Sequence, residues 1–139
     1  MLEIEIIFRL CFALLLGGIV GFERELRKTS AGLRTHSFVC MGAAFFAVLS
    51  INFSQSPAII AAGVVSGIGF IGAGLIFRSK TRVIGLTTAS DLWVLAAIGL
   101  SVGFGYYLAA LAATLLVLLM LVLGRIVEIN LLKEKEKLE

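Results

Sequence analysis

The residues of this chain that could do chemistry are few, and they gather at three places. Glu23, Arg24 and Glu25 follow a first apolar run. Arg34, Thr35 and His36 enter a second. Thr87, Thr88, Ser90 and Asp91 enter a fourth. A carboxylate beside hydroxyls offers oxygen ligands of the kind Mg²⁺ prefers, so Glu23 and Asp91 are the candidate metal ligands. The adjacent arginines repel a cation, however. The same residues permit an anionic site, a charge-paired gate, or ion pairs that only tie helix ends together. Buried charges are tolerated when paired, which makes Glu23 or Asp91 with Arg24 or Arg34 the expected pairing. Thr88-x-x-Asp91 is also the pattern of a helix start, a hydroxyl followed three residues later by an acid. His36 is the one histidine, so a multi-histidine metal site cannot be built within one copy. It reads as a helix-start residue rather than a ligand. No nucleophile–base–acid set stands out, and an enzyme is not expected.

These residues must be positioned by elements that suit a membrane. Of the 139 residues, 60% are hydrophobic and 15% charged, and the mean hydropathy is +1.07. Soluble domains carry about 45–50% apolar and ~25% charged residues. Disordered chains are more polar still. An ordinary soluble enzyme and a disordered chain are therefore both excluded, and the bilayer is the expected surrounding. Five apolar runs can be read, at roughly 4–22, 38–53, 58–77, 88–104 and 107–124. The breaks after the first, third and fifth runs hold Arg24, Arg27, Lys28 and Arg34, then Arg78, Lys80 and Arg82, then Arg125, Lys133, Lys135 and Lys137. The other two breaks hold no cation. Cytoplasmic segments carry the excess of Lys and Arg. The expectation is an all-α, polytopic membrane protein with five transmembrane helices, N-terminus out and C-terminus in. Residues 1–125 form the membrane domain, and 126–139 form a short cytoplasmic, amphipathic and charged tail. The net charge of +3 is accounted for by these loops, and nucleic acid is not an expected partner.

Span length sharpens this. Only thirteen uncharged residues separate Arg9 from Glu23, or about 20 Å of helix at ~1.5 Å per residue. The hydrocarbon core is ~30 Å thick. Arg9 must then snorkel outward, or Glu23 must lie within the membrane. The fourth run is similarly short, which draws Thr87, Thr88, Ser90 and Asp91 toward the bilayer. An ionisable residue at that depth is a functional candidate.

Glycine is the other pattern. Gly63, Gly67, Gly69, Gly72 and Gly74 crowd the third run, while Gly17/Gly21, Gly63/Gly67 and Gly99/Gly103 share an i,i+4 spacing. Gly67-x-Gly69-x-x-Gly72 matches a dinucleotide fingerprint in letters only, because no strand precedes it. Small residues at this spacing let membrane helices approach closely, so helix packing is the expected role. A broken third helix lining a site is the sharper alternative. Cys11 and Cys40 are expected as two small buried thiols at different depths, unpaired. Glu3 and Glu5 precede the first run, unlike the positive start of a cleavable signal, so that run is read as a retained helix. Gly32-Leu33-Arg34-Thr35-His36-Ser37 resembles Gly85-Leu86-Thr87-Thr88-Ala89-Ser90 at an offset of 53 residues. Each segment leads from a cationic break into a helix, as in a parallel repeat.

Four linked motifs carry a family resemblance. They are Gly21-Phe22-Glu23-Arg24-Glu25, Ala31-Gly32-Leu33-Arg34-Thr35-His36, Ser66-Gly67-Ile68-Gly69-Phe70-Ile71-Gly72-Ala73-Gly74, and Gly85-Leu86-Thr87-Thr88-Ala89 with Leu92-Trp93. In order and spacing they resemble the MgtC/SapB family of bacterial inner-membrane proteins, over roughly residues 5–125. The resemblance implies a multi-pass protein of the bacterial inner membrane linked to growth at low magnesium. In intracellular pathogens it implies a link to virulence through survival in macrophages. It implies a membrane regulator acting through helix contacts with partners, among them the membrane ATP synthase. The alternative is a transporter or channel for Mg²⁺ or another ion, working as a homo-oligomer. No resident cofactor is expected, Mg²⁺ apart. Many family members carry a soluble C-terminal domain, and only the membrane part is expected here. The family pattern often has Ala where this chain has Ser90, and a hydroxyl or apolar residue where it has Asp91. The acid at 91 is a departure from it.

Overall fold

A computed structural model describes residues 2–53 and 56–136. Five helices follow in order: α1 (Glu3–Leu26), α2 (Leu33–Phe53), α3 (Pro57–Ala73), α4 (Leu86–Gly103) and α5 (Tyr107–Glu136). Four of them, all but α3, are long and apolar enough to cross a bilayer. At 17 residues, α3 is shorter, about 25 Å at ~1.5 Å per residue. Between α3 and α4 the chain forms a small antiparallel hairpin, with β1 (Phe77–Arg78) against β2 (Val83–Ile84). The expected cationic loop is thus a folded ribbon. Ser79 N–H donates to Arg82 O at 2.8 Å and closes its turn.

The boundaries differ from the apolar runs in an instructive way. α1 continues through Glu23-Arg24-Glu25, and α2 begins at Leu33. Charge ends an apolar run without ending a helix, because these side chains find partners. α1 stops where Lys28 adopts a left-handed backbone, φ 54°. Lys28 N–H then bonds Glu25 O at 3.0 Å and Thr29 N–H bonds Arg24 O at 3.3 Å, the paired bonds of a Schellman ending. α5 likewise runs on past Arg125 to Glu136, so the expected tail begins as a continuation of α5. Residues 54–55 and 137–139 lie outside the described residues. So does the apolar side expected of the tail at Ile129 and Leu132.

α2 is the central helix, packed chiefly on α1 and α4, with α5 against α4 and α1, and α3 against α4 and α2. Glycine explains why the centre is so tight. Inside a bilayer the lipid is as apolar as the helices, so close van der Waals contact must drive association. A Cβ added at Gly17 would lie 2.6 Å from His36 O, and one at Gly21 would lie 2.8 Å from the Leu33 Cα. Added at Gly99 or Gly103, it would run into the carbonyls of Cys40 and Ala44. Gly17 and Gly21 thus seat α1 on α2, and Gly99 and Gly103 seat α4 on its other side. Ala43, Ala44 and Ala47 complete the contact, all buried.

The packing role expected of Gly63, Gly67 and Gly69 is not filled within the chain. A Cβ at any of the three meets nothing within 4 Å. Gly72 makes only an ordinary contact, 3.5 Å from the Ala89 Cβ, and Gly74 meets only carbonyls of its own turn. The reason is that α3 lies at the margin of the bundle, where only Ile68 and Gly72 are buried. Of the cysteines, Cys40 is buried and Cys11 is exposed, both free; Cys11 departs from the buried thiol expected of it.

Candidate functional site

The site lies where the end of α1 meets the starts of α2 and α4. Arg24 is its centre. Its guanidinium contacts Glu23 Oε2 at 2.5 Å and stands 3.6 Å from Asp91 Oδ2. Glu23 presents its other oxygen to Arg27 Nε at 2.6 Å. The side chains of Arg24 and Asp91 are each only 9% exposed, so this pairing joins α1 to α4 through the interior. The i,i+4 spacing places Arg27 on the same face of α1 as Glu23. Sequence reading placed Arg27 in a loop and missed it, although that spacing was visible.

The remaining expected residues divide between this cluster and its rim. His36 is fully buried beneath Gly21. Its Nδ1 lies 2.9 Å from Gly32 O, which can only accept, so Nδ1 carries the proton, and in the neutral ring Nε2 presents a lone pair. Thr88 is buried beside Asp91 in the first turns of α4. Glu25 turns away and accepts from Leu33 N–H at 3.0 Å, capping α2 from the preceding helix. A Cβ at Gly32 would meet that carboxylate, which would have to swing aside. Arg34 and Thr87 are exposed, Thr35 is half-buried, and Ser90 bonds back to Leu86 O at 2.9 Å. Among the described residues Arg34 forms no ion pair, so the partner of both acids is Arg24.

The repeated segments start their helices alike. His36 N–H bonds Gly32 O at 3.1 Å, and Ala89 N–H bonds Gly85 O at 2.9 Å. The second copy differs in that Gly85 is left-handed, φ 87°, and packs against Leu75 O, where a Cβ has no room.

Two carboxylates and two guanidiniums make the cluster neutral. Two polar atoms in it, Asp91 Oδ2 and His36 Nε2, are buried without a hydrogen bond among the described residues. No three His, Cys, Asp or Glu side chains converge among those residues. Mg²⁺ takes oxygen ligands in octahedral geometry, whereas here a guanidinium lies between the two acids. Glu23 and Asp91 as placed do not fit a protein-built Mg²⁺ site. What the arrangement can do is hold α1 and α4 in register, or release them if Arg24 is drawn to another anion.

A second charged residue lies at the far end of the bundle. Arg9 is 8% exposed and donates from Nη1 to Gly103 O at 2.5 Å, while Nη2 meets Glu5 at 2.5 Å. Its guanidinium sits 5.8 Å from the Tyr107 ring centre. Rather than snorkelling free, Arg9 caps the buried carbonyl end of α4 at Gly103. Glu5 at i−4 was the available signal; Gly103, 94 residues away, gave none.

Four helices are long and apolar enough to cross a bilayer, and three of them meet at a buried, paired charge cluster, the make-up of a helical membrane protein. The profile of the MgtC family matches residues 10–129, and the chain belongs to that family. Protein MgtC of Salmonella typhimurium (strain 14028s) is 49% identical over 119 residues, 85% of this chain and 52% of the relative. Protein MgtC of Brucella abortus (strain 2308) is 48% identical over 108 residues, 76% of this chain and 45% of the relative. The chain therefore spans about half the length of the curated relatives it matches. No solved structure matches it.

Proposed function

We propose that this chain is a regulator in the bacterial inner membrane, linked to adaptation to low magnesium, and that it works through helix contacts with a membrane partner. In this reading all five helices span, with the N-terminus out and the C-terminus in. The membrane ATP synthase is the kind of partner the family resemblance implies. The observation that carries the reading is the charge cluster. Arg24 and Arg27 together balance the charge of Glu23 and Asp91, so neither of these two acids is left free to draw a cation inward. A tie of this kind between α1 and α4 can be opened by a partner and closed again. The faces a partner would use are α3 and α5, whose apolar residues are mostly exposed.

The second reading, an oligomeric transporter of Mg²⁺ or another ion, draws on the uncovered glycine face of α3. Ion flux separates the two. The purified chain in liposomes, with internal Mg²⁺ followed by a dye, is expected to be silent, while a membrane complex co-purifies with it from cells. Magnesium flux that disappears on Glu23→Gln or Asp91→Asn would overturn the regulator reading.

A further inference from the structure

A groove of about 590 Å³ runs between α2 and α3, within the range of small-molecule sites, roughly 300–1,000 Å³. Its walls are Phe38 and Phe46 on α2 and Ile71 on α3, and its width comes from Gly42, Gly63 and Gly67. A Cβ at any of these glycines meets nothing within 4 Å, so the missing side chains are what leave the groove open. Every lining residue is apolar or glycine. Whatever fills it is therefore apolar, and it enters from the side, through the bilayer.

The mouth of the groove has the opposite character. On α2 the lining follows one face, with Phe38, Gly42 and Phe46 spaced four apart. Residues at this spacing stack along a helix. One turn further toward the start of α2, the same face presents Arg34, which is exposed and without an ion pair among the described residues. α3 runs antiparallel to α2 in the spanning reading, so its end at Ala73 leads into the hairpin at that same mouth. The hairpin carries Arg78, Lys80 and Arg82, all exposed, with no acid among them. Its Phe77, Val83 and Ile84 are exposed beside those cations, a composition suited to the headgroup boundary.

We infer that the α2–α3 groove holds one acyl chain of an anionic phospholipid, whose headgroup phosphate is met by Arg34 and the cations of the hairpin. Charge decides the occupant. A second copy docking on this face by two-fold symmetry would use the same patch on both sides, bringing four cations, none of them in an ion pair among the described residues, against four more. A lipid phosphate neutralises them. Basic pockets between membrane helices at the cytoplasmic side select such headgroups. The inference rests on α2 and α3 spanning the bilayer. It does not rest on the regulator role, since its test reads lipid binding and not flux.

The test uses the whole chain, delipidated in detergent. It is titrated with dioleoylphosphatidylglycerol or dioleoylphosphatidylcholine, with thermal stability and bound lipid in native mass spectra as readouts. The anionic lipid is expected to bind one per chain and raise the Tm, and the zwitterionic lipid to do so far more weakly. Arg34→Gln should weaken phosphatidylglycerol about fivefold, the effect of one cation near an anionic surface. Gly67→Leu should leave the unliganded Tm unchanged and abolish the specific binding. Equal response to the two lipids, full binding by Gly67→Leu, or the same Tm rise with glycerol phosphate alone would each overturn the inference. So would a dimer that Gly67→Leu dissociates, because the groove would then hold a second copy.

Discussion

At the residue scale, the feature that organises the site is one guanidinium shared by two acids. Arg24 meets Glu23 from its own helix and Asp91 from α4, both in a largely buried setting. Removing one partner of a buried ion pair strands the other, at about 3–5 kcal/mol. Arg24→Ala is therefore expected to lower stability by roughly that much, measured by thermal unfolding in detergent. Asp91→Asn should cost less, because the amide keeps the size and discards the charge. Combined with Arg24→Ala it should restore part of the loss, with a coupling of about 0.5–3 kcal/mol. Strictly additive losses would show that the pair does not tie α1 to α4. The family resemblance marks the acid at Asp91 as a departure, and the cycle also tests whether Asp91 serves as a structural tie.

At the element scale, glycines that look alike in sequence do different work. Gly99 and Gly103 share their spacing with Gly63 and Gly67. The first pair lies against the carbonyls of α2, while the second faces open space. Gly103→Ala is expected to push α4 off α2, an overpacking that costs about 1–3 kcal/mol. Gly67→Ala should change stability by no more than about 0.5 kcal/mol, as at a surface position. Thermal unfolding of the two variants side by side decides the matter, and equal effects would contradict the packing described. The same contrast explains why α3 is the marginal helix. It brings to α4 and α2 little more than Ile68 and Gly72 as buried contact, whereas α4 is buried along most of its length.

At the scale of the whole molecule, charge is sorted by end. Arg24, Arg27, Arg34 and the hairpin cations share one end with the starts of α2 and α4, while Arg9 and Tyr107 mark the other. The positive-inside rule then sets the orientation proposed above. Cysteines introduced one at a time test it in whole cells. Ala58→Cys should react with a membrane-impermeant maleimide from outside, and Lys80→Cys only after the membrane is opened. Both positions reacting from the same side would mean that α3 does not cross, reducing the spans from five to four. Its length of about 25 Å, set against a hydrocarbon core of ~30 Å, makes this the span where the question is sharpest.

The membrane setting was legible in the residues alone, because an apolar excess of this size has no other stable surrounding. So were the helical class, the family, and the concentration of polar residues at one end of the bundle, since motifs and charge patterning are local. The i,i+4 spacing also singled out Gly17, Gly21, Gly99 and Gly103, at each of which an added Cβ would meet a neighbouring helix within 3 Å. Spacing could not say which glycines meet a neighbour, and so it could not separate them from Gly63 and Gly67. Pairing was likewise a matter for the tertiary structure. Arg24 and Arg34 are equal candidates for Asp91 in the sequence, and only the crossing of α1 and α4 places Arg24 beside it and leaves Arg34 outside. The same holds for Arg9 and Gly103. A helix positions residues three or four apart by its own geometry, but residues far apart in the chain are brought together only by the way the helices pack.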